Sequence, residues 1–228
     1  MRHSSARPVL TALITGLFVV SCGAQEEPSP ESAAAALTPE VKAAQVGGQE
    51  AAQAPQEAGA PFEFTSTDYW DSGITFHVTS PNSGSINEVT ITPSGLEIDN
   101  SPVTVEVDGT VTGAEVADLN NDGSPEIYVY ATSAGSGSYG SLVAYATNNR
   151  KSMTPIYLPP LTDNPEASEG YMGHDEFAVV ESILAQRFPV YAEGDTNANP
   201  TGGTRQVQYK LEAGEAGWVL RADKVVEY

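Results

Sequence analysis

Short segments in which apolar and polar residues alternate, separated by turn residues, occupy most of this 228-residue chain from residue 73 onward. Such a period of two places successive side chains on opposite faces of an extended strand. The pattern predicts an all-β fold, an antiparallel β-sandwich or barrel. The clearest segments are GITFHVTS (73–80), NEVTITP (87–93), GLEID (95–99), PVTVEV (102–107), EIYVYAT (126–132) and SLVAYAT (141–147).

Turn residues and composition support three further expectations. Asp108 and Gly109 predict a hairpin turn after PVTVEV, because glycine accepts the positive φ that such turns need. The Phe, Val and Ile content of residues 176–191 favours strand, although a helix at the centre of this stretch stays open. Residues 205–228 predict a terminal hairpin around the turn AGEAG.

The aromatic residues are concentrated in residues 62–228, which hold all ten tyrosines, both tryptophans and five of the six phenylalanines. This is enough apolar material for the core of one β-rich domain. The same range holds 24 of the 30 acidic and 7 of the 10 basic residues, a net charge of −17. Nucleic acid and anionic lipid would be repelled, so we expect either a basic protein partner or an acidic surface that keeps the domain soluble.

The N-terminus has the features of a targeting segment. Arg2 and Arg7 precede the apolar run LTALITGLFVV (10–20), which is too short for a comfortable transmembrane helix. The run ends in VVSC, which resembles the bacterial lipobox and implies cleavage before Cys22 and lipidation of that residue. We therefore expect a lipoprotein signal peptide over residues 1–21, with an ordinary secretory signal as the alternative.

Residues 22–61 are rich in Ala, Glu, Gln and Pro and contain no aromatic residue. Such a segment cannot bury enough apolar surface to offset the entropy lost on ordering, so it predicts a disordered tether. The residues after Cys22 are Gly-Ala, with no aspartate, which by resemblance to known sorting behaviour favours the outer membrane. The expected location is the bacterial cell envelope, lipid-anchored and facing the periplasm.

The segment DLNNDGSPE (118–126) carries a cluster of oxygen-bearing side chains. Hard oxygen ligands at alternate positions beside a glycine are typical of calcium loops, although the glutamate at the twelfth position of an EF-hand is missing. The alternative is a tight turn whose Asx side chains bond to their own backbone. Calcium binding would make the chain a calcium-stabilised extracytoplasmic binding or adhesion module. The candidate ligands are Asp118, Asn120, Asp122 and Glu126.

The sequence offers few groups for catalysis. Around Ser136 the glycines fall at the wrong offsets for a G-x-S-x-G nucleophile elbow, and the domain's two histidines, His77 and His174, are too few for a zinc site without several carboxylates. His174 precedes Asp175 and Glu176, with which it could form either a proton relay or an ordinary loop hydrogen bond. We therefore expect no enzymatic activity and no cofactor other than the calcium considered above.

The loop SAGSGSYGS (133–141) places one large aromatic residue, Tyr139, among glycines and serines between two expected strands. Recognition surfaces often have this composition, because tyrosine provides a rigid amphipathic contact and serine provides adaptable hydrogen bonds. Composition alone equally allows a hairpin loop whose tyrosine folds back onto the sheet.

The residues SGSY (136–139) resemble the SG(x)xY signature of bacterial lysozyme inhibitors. Three blocks, 111–145, 170–180 and 187–211, resemble the periplasmic inhibitors of invertebrate-type (I-type) lysozyme, the PliI family. The resemblance implies a non-enzymatic inhibitor that inserts the Gly/Ser/Tyr loop into the active-site cleft and so protects bacterial peptidoglycan. Family members are described as periplasmic, whereas this chain carries a lipobox and a tether.

By the same resemblance, the lysozyme-binding residues are Ser136, Gly137, Tyr139 and Arg205. A lysozyme cleft holds two carboxylates, to which the hydroxyls of Ser136 and Tyr139 can donate without burying an unpaired charge. A second glycine-rich loop, NPTGGTR (199–205), ends in Arg205, and the resemblance makes this arginine a charge-assisted contact to a cleft carboxylate. The alternative for Arg205 is a salt bridge within this acidic domain. The oligomeric state stays open, a homodimer included.

Overall fold

The computed structural model describes residues 59–228 of the chain. The expected signal peptide over 1–21, the lipidation site Cys22 and the tether up to residue 58 lie outside the described residues. Within the described range, no helix has the length and the apolar character needed to cross a membrane. The strands are β1 (Phe62–Thr65), β2 (Thr75–Ser80), β3 (Ile86–Ser94), β4 (Val103–Asp108), β5 (Thr110–Ala117), β6 (Glu126–Thr132), β7 (Gly140–Thr147), β8 (Met153–Tyr157), β9 (Glu176–Val180), β10 (Ile183–Pro189), β11 (Thr204–Ala213) and β12 (Trp218–Glu227). One short helix, α1 (Pro165–Ser168), and 3₁₀ turns at Tyr69–Asp71, Asn148–Arg150 and Leu161–Asp163 complete the described elements.

The strands form two sheets, of four strands in the order β1-β2-β3-β4 and of eight in the order β5-β6-β7-β8-β12-β11-β10-β9. All neighbours are antiparallel except β8 and β12, which pair in parallel over two residue pairs. The end strands of the larger sheet meet where the Glu115 carboxylate on β5 accepts a hydrogen bond of 2.7 Å from the Val179 amide on β9. The larger sheet is therefore a nearly closed barrel, and the expected all-β fold is confirmed.

Strand β6 lies between two hydrophobic cores. Ile127 and Val129 belong to the core shared with the four-stranded sheet, to which Phe76 and Ile91 also contribute. Tyr128 and its neighbour on the same face, Tyr130, belong to the core inside the barrel. Because both faces of β6 are buried, burial anchors this strand more firmly than a strand with one wet face. The loop 133–139 continues directly from it.

The chain passes from one sheet to the other at Gly109, so the expected hairpin there is wrong. Strand β4 pairs with β3, and β5 pairs with β6, which leaves the strands on either side of Gly109 unpaired with each other. Gly109 does adopt a positive φ, +105°. A β-carbon at this position would lie 1.9 Å from the carbonyl oxygen of Thr132, so the corner requires glycine.

Three other segments can be compared with the sequence expectations. The segment GLEID is not a strand, because its amides at Glu97 and Ile98 donate to carbonyls of the turn at residues 150–151. Residues 176–191 contain a hairpin of β9 and β10 around Glu181, which has φ +56°, and no helix forms there. The terminal hairpin is confirmed as β11 and β12.

Candidate functional site

The loop 133–139 leads from β6 into β7 and is closed by hydrogen bonds between its ends. The Ser133 amide donates to the Tyr139 carbonyl at 2.9 Å, and the Tyr139 amide donates to Ser133 Oγ at 3.0 Å. Tyr139 is 47% exposed, and Ser136 is exposed as well. Among the described residues, neither the Ser136 nor the Tyr139 hydroxyl has a hydrogen-bond partner, so both can bond to another molecule.

The segment between α1 and β9 packs against this loop through main-chain contacts. The His174 amide donates to the Gly137 carbonyl at 2.7 Å. Next to it, Gly173 has φ +92°, and a β-carbon there would lie 2.1 Å from the same carbonyl oxygen. The ring of Tyr171 meets the ring of Tyr139 edge-on, with 5.7 Å between centroids. One side of Tyr139 is thus supported by the protein while much of the ring faces solvent.

A buried carboxylate, Asp175, connects the end of the loop to the barrel interior. Its Oδ2 accepts from the Gly140 amide at 2.8 Å and from the Tyr171 hydroxyl at 2.6 Å, and its Oδ1 accepts from Gln186 Nε2 at 2.7 Å. Gln186 Oε1 in turn accepts from the Tyr209 hydroxyl at 2.7 Å. Burial, and secondly the Asp175 carboxylate, raise the pKa of both tyrosines, so their hydroxyls remain protonated donors.

The connection between β10 and β11, residues 190–203, reaches the same place. Asn197 Nδ2 donates to the Ser136 carbonyl, and Asn197 Oδ1 lies 3.3 Å from His174 Nε2. The Tyr191 hydroxyl donates to the Asn197 carbonyl at 3.0 Å and holds this residue in position. Two chain segments, one between α1 and β9 and one between β10 and β11, therefore pack against the loop that carries Ser136 and Tyr139.

The two histidines have structural partners. The His174 imidazole bonds to Asn197, while the neighbouring Asp175 carboxylate is occupied by other donors, so the geometry favours the loop hydrogen bond over the proton relay. His77 lies on β2, and its Nε2 is 3.0 Å from Glu63 Oε1 on β1. This arrangement gives no support for a catalytic role of either histidine.

Arg205 is buried and forms an ion pair with Glu227, whose side chain is largely exposed. Its Nε and Nη2 donate to Glu227 Oε1 at 3.0 and 2.6 Å, and its Nη1 donates to the carbonyls of Ala167 at 3.0 Å and Glu169 at 2.5 Å. The Arg205 side chain is only 6% exposed. Of the two roles that the sequence left open, this geometry favours the salt bridge, because a guanidinium with these partners would have to leave them to reach a cleft.

The acidic turn 118–126 lies at the end of β6 opposite the loop. Oxygen atoms of Asp118, Asp122 and Glu126 lie within 4.8 Å of one another. The turn also has the side-chain-to-backbone bonds expected of a tight Asx turn, since Asp118 accepts from the Asp122 and Gly123 amides at 3.0 and 2.8 Å. Asn120 Oδ1 accepts from the Asp122 amide at 3.0 Å. The turn therefore has both features at once: its Asp and Asn side chains bond to its own backbone, and three of its carboxylates lie close together. The structure is compatible with both alternatives.

Glu126 is the most deeply buried carboxylate of this turn and accepts from the Leu119 amide at 2.8 Å and the Tyr128 hydroxyl at 3.3 Å. Burial raises the pKa of Glu126 to about 9, and the charges of Asp118 and Asp122 act in the same direction. The carboxyl group is therefore neutral at pH 7 in the absence of a cation. Binding of calcium here would require its ionisation.

The surroundings of Tyr139 are acidic. A groove runs between β4 and the beginning of β7 and is lined by Tyr139, Leu142 and Val143 on one side. On the other side it is lined by Glu106 and Asp108, both exposed. The approach to the loop thus carries the same sign of charge as the domain as a whole.

Sequence reasoning missed some residues of this site. Asn197 was not singled out, and Asp175 was considered only as a partner of His174. Met172 was also missed; it is 39% exposed, and its carbonyl oxygen would be 3.2 Å from a β-carbon at Gly137. No local pattern marks these residues, since their role depends on contacts with a loop far away in the chain.

Residues 101–161 match the protein family described as periplasmic lysozyme inhibitor of I-type lysozyme. The match includes the loop with Ser136 and Tyr139 and leaves out the similar blocks 170–180 and 187–211. No curated protein and no solved structure matches the chain. The resemblance to the PliI family is therefore confirmed over residues 101–161, and it supports a role as a lysozyme inhibitor in the bacterial periplasm or envelope.

Proposed function

We propose that the chain inhibits I-type lysozyme by inserting the loop 133–139 into the active-site cleft of the enzyme. The observation that carries this proposal is a pair of unbonded hydroxyls, on Ser136 and Tyr139, at an exposed and well-supported loop within the family match. The two carboxylates of a glycosidase cleft accept hydrogen bonds from such neutral donors. A neutral donor adds no buried charge of its own to the complex.

The contacts of the loop in the free protein favour tight binding. Its main chain is held by the His174 amide and the Asn197 side chain, and its ends are bonded to each other. Since a loop that is already ordered loses less conformational entropy on association, more of the contact energy appears as affinity. Tyr139 is an exposed, amphipathic aromatic residue, and tyrosine is among the residue types that dominate binding energy in interfaces.

The charge of the domain favours a basic partner. With a net charge of −17 over residues 62–228 and exposed carboxylates in the groove beside Tyr139, the inhibitor would attract a basic enzyme. Charge attraction of this type acts mainly on the association rate, and salt weakens it. We therefore expect slower association at high ionic strength.

We further propose that the inhibitor acts from the cell envelope, anchored by a lipid on Cys22 and held off the membrane by the tether 22–61. The lipobox-like sequence VVSC and the apolar run before it support this. Replacement of Cys22 by Ala should move the protein from the membrane fraction to the soluble fraction of the bacterial envelope. A wild-type protein found entirely in the soluble fraction would contradict the anchor.

A calcium-stabilised binding or adhesion module is the second candidate function. The approach of Asp118, Asp122 and Glu126 to within 4.8 Å supports it, because these carboxylates with Asn120 would supply hard oxygen ligands. We rank it second, since the turn is already bonded to its own backbone.

The deciding experiment measures lysis of peptidoglycan by invertebrate-, chicken- and goose-type lysozymes while the purified chain is titrated in. Selective, stoichiometric loss of the invertebrate-type activity is expected. Ser136→Ala and Tyr139→Ala should weaken inhibition without changing the melting temperature. Ile98→Ala is a suitable control, since Ile98 is an exposed apolar residue beside the turn at 150–151. Folded wild-type protein that inhibits none of the three enzymes would overturn the proposal.

A further inference from the structure

We propose that Asp175 is a positioning residue for inhibition: its buried carboxylate holds the peptide that joins Tyr139 to Gly140 and thereby sets the direction in which Tyr139 projects. This inference rests on the proposed function, because the position of Tyr139 matters only if the loop is what the enzyme binds. It adds a residue outside the matched range 101–161 to the working parts of the inhibitor.

The peptide between Tyr139 and Gly140 is held on both of its polar groups. Its N–H donates to Asp175 Oδ2 at 2.8 Å, and its carbonyl accepts from the Ser133 amide at 2.9 Å. Since a peptide unit is planar, two hydrogen bonds on opposite sides fix its orientation. A β-carbon at Gly140 would lie 2.6 Å from the Asp175 β-carbon, so the glycine permits this close approach.

Asp175 is itself held from inside the barrel. The Tyr171 hydroxyl donates to Oδ2 and Gln186 Nε2 donates to Oδ1, while Gln186 is oriented by the Tyr209 hydroxyl. The ring of Tyr171 also contacts Phe188 in the barrel core, with 4.7 Å between centroids. A continuous set of buried contacts therefore links strands β10 and β11 to the exposed tyrosine.

A second carboxylate, Asp118, provides the matched control. Like Asp175 it is buried and accepts hydrogen bonds from backbone amides, here those of Asp122 and Gly123. It lies at the other end of β6, and seven residues of extended strand separate the two ends by roughly 20 Å. A general loss of stability would follow from removal of either carboxylate, whereas misplacement of Tyr139 would follow only from removal of Asp175.

The test compares Asp175→Ala, Asp175→Asn and Asp118→Ala in the full chain. It measures inhibition of I-type lysozyme, the melting temperature and hydrogen exchange of the Gly140 amide. Asp175→Ala should weaken inhibition about tenfold or more and remove the protection of that amide. Asp175→Asn should restore most of both. The asparagine oxygen can accept from Gly140 and Tyr171, and its NH₂ group can donate to Gln186 once that amide is flipped.

Asp118→Ala should lower the melting temperature while leaving inhibition and the Gly140 exchange rate unchanged. Normal inhibition by Asp175→Ala, or an equal loss in Asp118→Ala at the same melting temperature, would overturn the assignment. If Asp175→Ala does not fold, Tyr171→Phe removes one donor and keeps the ring contacts. Unchanged inhibition and unchanged Gly140 exchange in Tyr171→Phe would then overturn it.

The test of Asp175 can fail independently of the proposed inhibition of lysozyme. If the wild-type chain inhibits no lysozyme, the proposed function fails and the role of Asp175 in inhibition fails with it. The exchange measurement still decides whether Asp175 holds the loop, because it needs no enzyme. Gly140 protection that is equal in wild type and Asp175→Ala would show that the carboxylate does not hold the loop.

Discussion

The carbonyl oxygen of Gly137 occupies the space that a β-carbon on Gly173 would need, since the two atoms would lie 2.1 Å apart. Gly173 also has φ +92°, a conformation that costs any other residue energy. At this point the exposed loop and the segment before β9 approach each other at main-chain atoms, beside the edge-on contact of the Tyr171 and Tyr139 rings.

The substitution Gly173→Ala should separate these two segments. We expect a loss of about 1 to 3 kcal/mol in the free energy of unfolding and an inhibition constant raised about tenfold or more. Denaturant melts and the lysis assay would measure the two effects. Gly84→Ala is the control, because Gly84 has no positive φ and its nearest atom would be 3.5 Å from the new β-carbon. Wild-type inhibition by Gly173→Ala would contradict the expected fit.

Met172 should contribute to binding beside Tyr139. Met172 is 39% exposed and its carbonyl oxygen borders the loop at Gly137, so an apolar side chain here can fill cleft surface. We expect Met172→Gln to weaken inhibition by about 1 kcal/mol, roughly fivefold, with little effect on stability. Ile98→Gln, which changes an exposed apolar residue beside the 150–151 turn, should leave inhibition unchanged. Equal effects of the two substitutions would argue against a specific contact at Met172.

Arg205 should act on stability rather than on binding. Arg205→Met leaves the carbonyls of Ala167 and Glu169 without their donor, and we expect a loss of about 2 to 4 kcal/mol in unfolding free energy. Lys210→Met removes the exposed pair with Asp223 and should cost about 1 kcal/mol or less.

Inhibition by folded Arg205→Met should remain close to that of wild type at a temperature well below its melting point. Loss of inhibition without loss of stability would instead support the contact to a cleft carboxylate that the family resemblance implied. Parallel titrations of lysozyme at equal concentrations of folded protein would distinguish the two results.

The buried Glu126 predicts a pH dependence of stability. Its folded pKa of about 9 exceeds its ordinary value of 4.5, so the folded state retains a proton that the unfolded state releases. Stability from this group is present below pH 4.5 and is lost as the pH rises towards 9, by at most about 1.4 kcal/mol per unit. Glu126→Gln should therefore be increasingly more stable than wild type between pH 5 and about pH 8 when a chelator is present. A difference that does not change with pH would contradict the assigned burial.

Calcium provides an independent test of the same turn. If the ion binds, it stabilises ionised Glu126, and wild-type protein at pH 8 should gain melting temperature on addition of calcium. Asp122→Asn should reduce that gain, because it removes one carboxylate ligand. No change in melting temperature with calcium or chelator would leave the backbone-bonded turn as the full description of residues 118–126.

Local patterns predicted most of the strands, and the errors concern contacts between distant residues. The dipeptide Asp108–Gly109 indicated the positive φ correctly, because backbone preference is a local property. It could not indicate that the chain changes sheets there, since that depends on Thr132 lying against Gly109. Strand β1 was missed for a similar reason, because FEFT is short and becomes a strand through pairing with β2.

The candidate site shows the same division. Ser136 and Tyr139 stand out in the sequence because a tyrosine among glycines and serines is a local signal. Asp175 and Asn197 have no such signal, since they contact the loop from 35 and 61 residues away. For Arg205 the sequence left a cleft contact and an internal salt bridge open, since no local pattern indicates that the fold buries this residue.

The supports of the loop have a consequence for how such inhibitors change over time. His174, Asn197 and Asp175 all bond to main-chain atoms of the loop or its end, at Gly137, Ser136 and Gly140. The side chains at positions 136 and 139 can therefore be exchanged without removing any of these three bonds. New target preferences can therefore arise by substitution at these two positions while the hydrogen bonds that hold the loop stay unchanged. The same fold can present other short loop sequences to other enzymes.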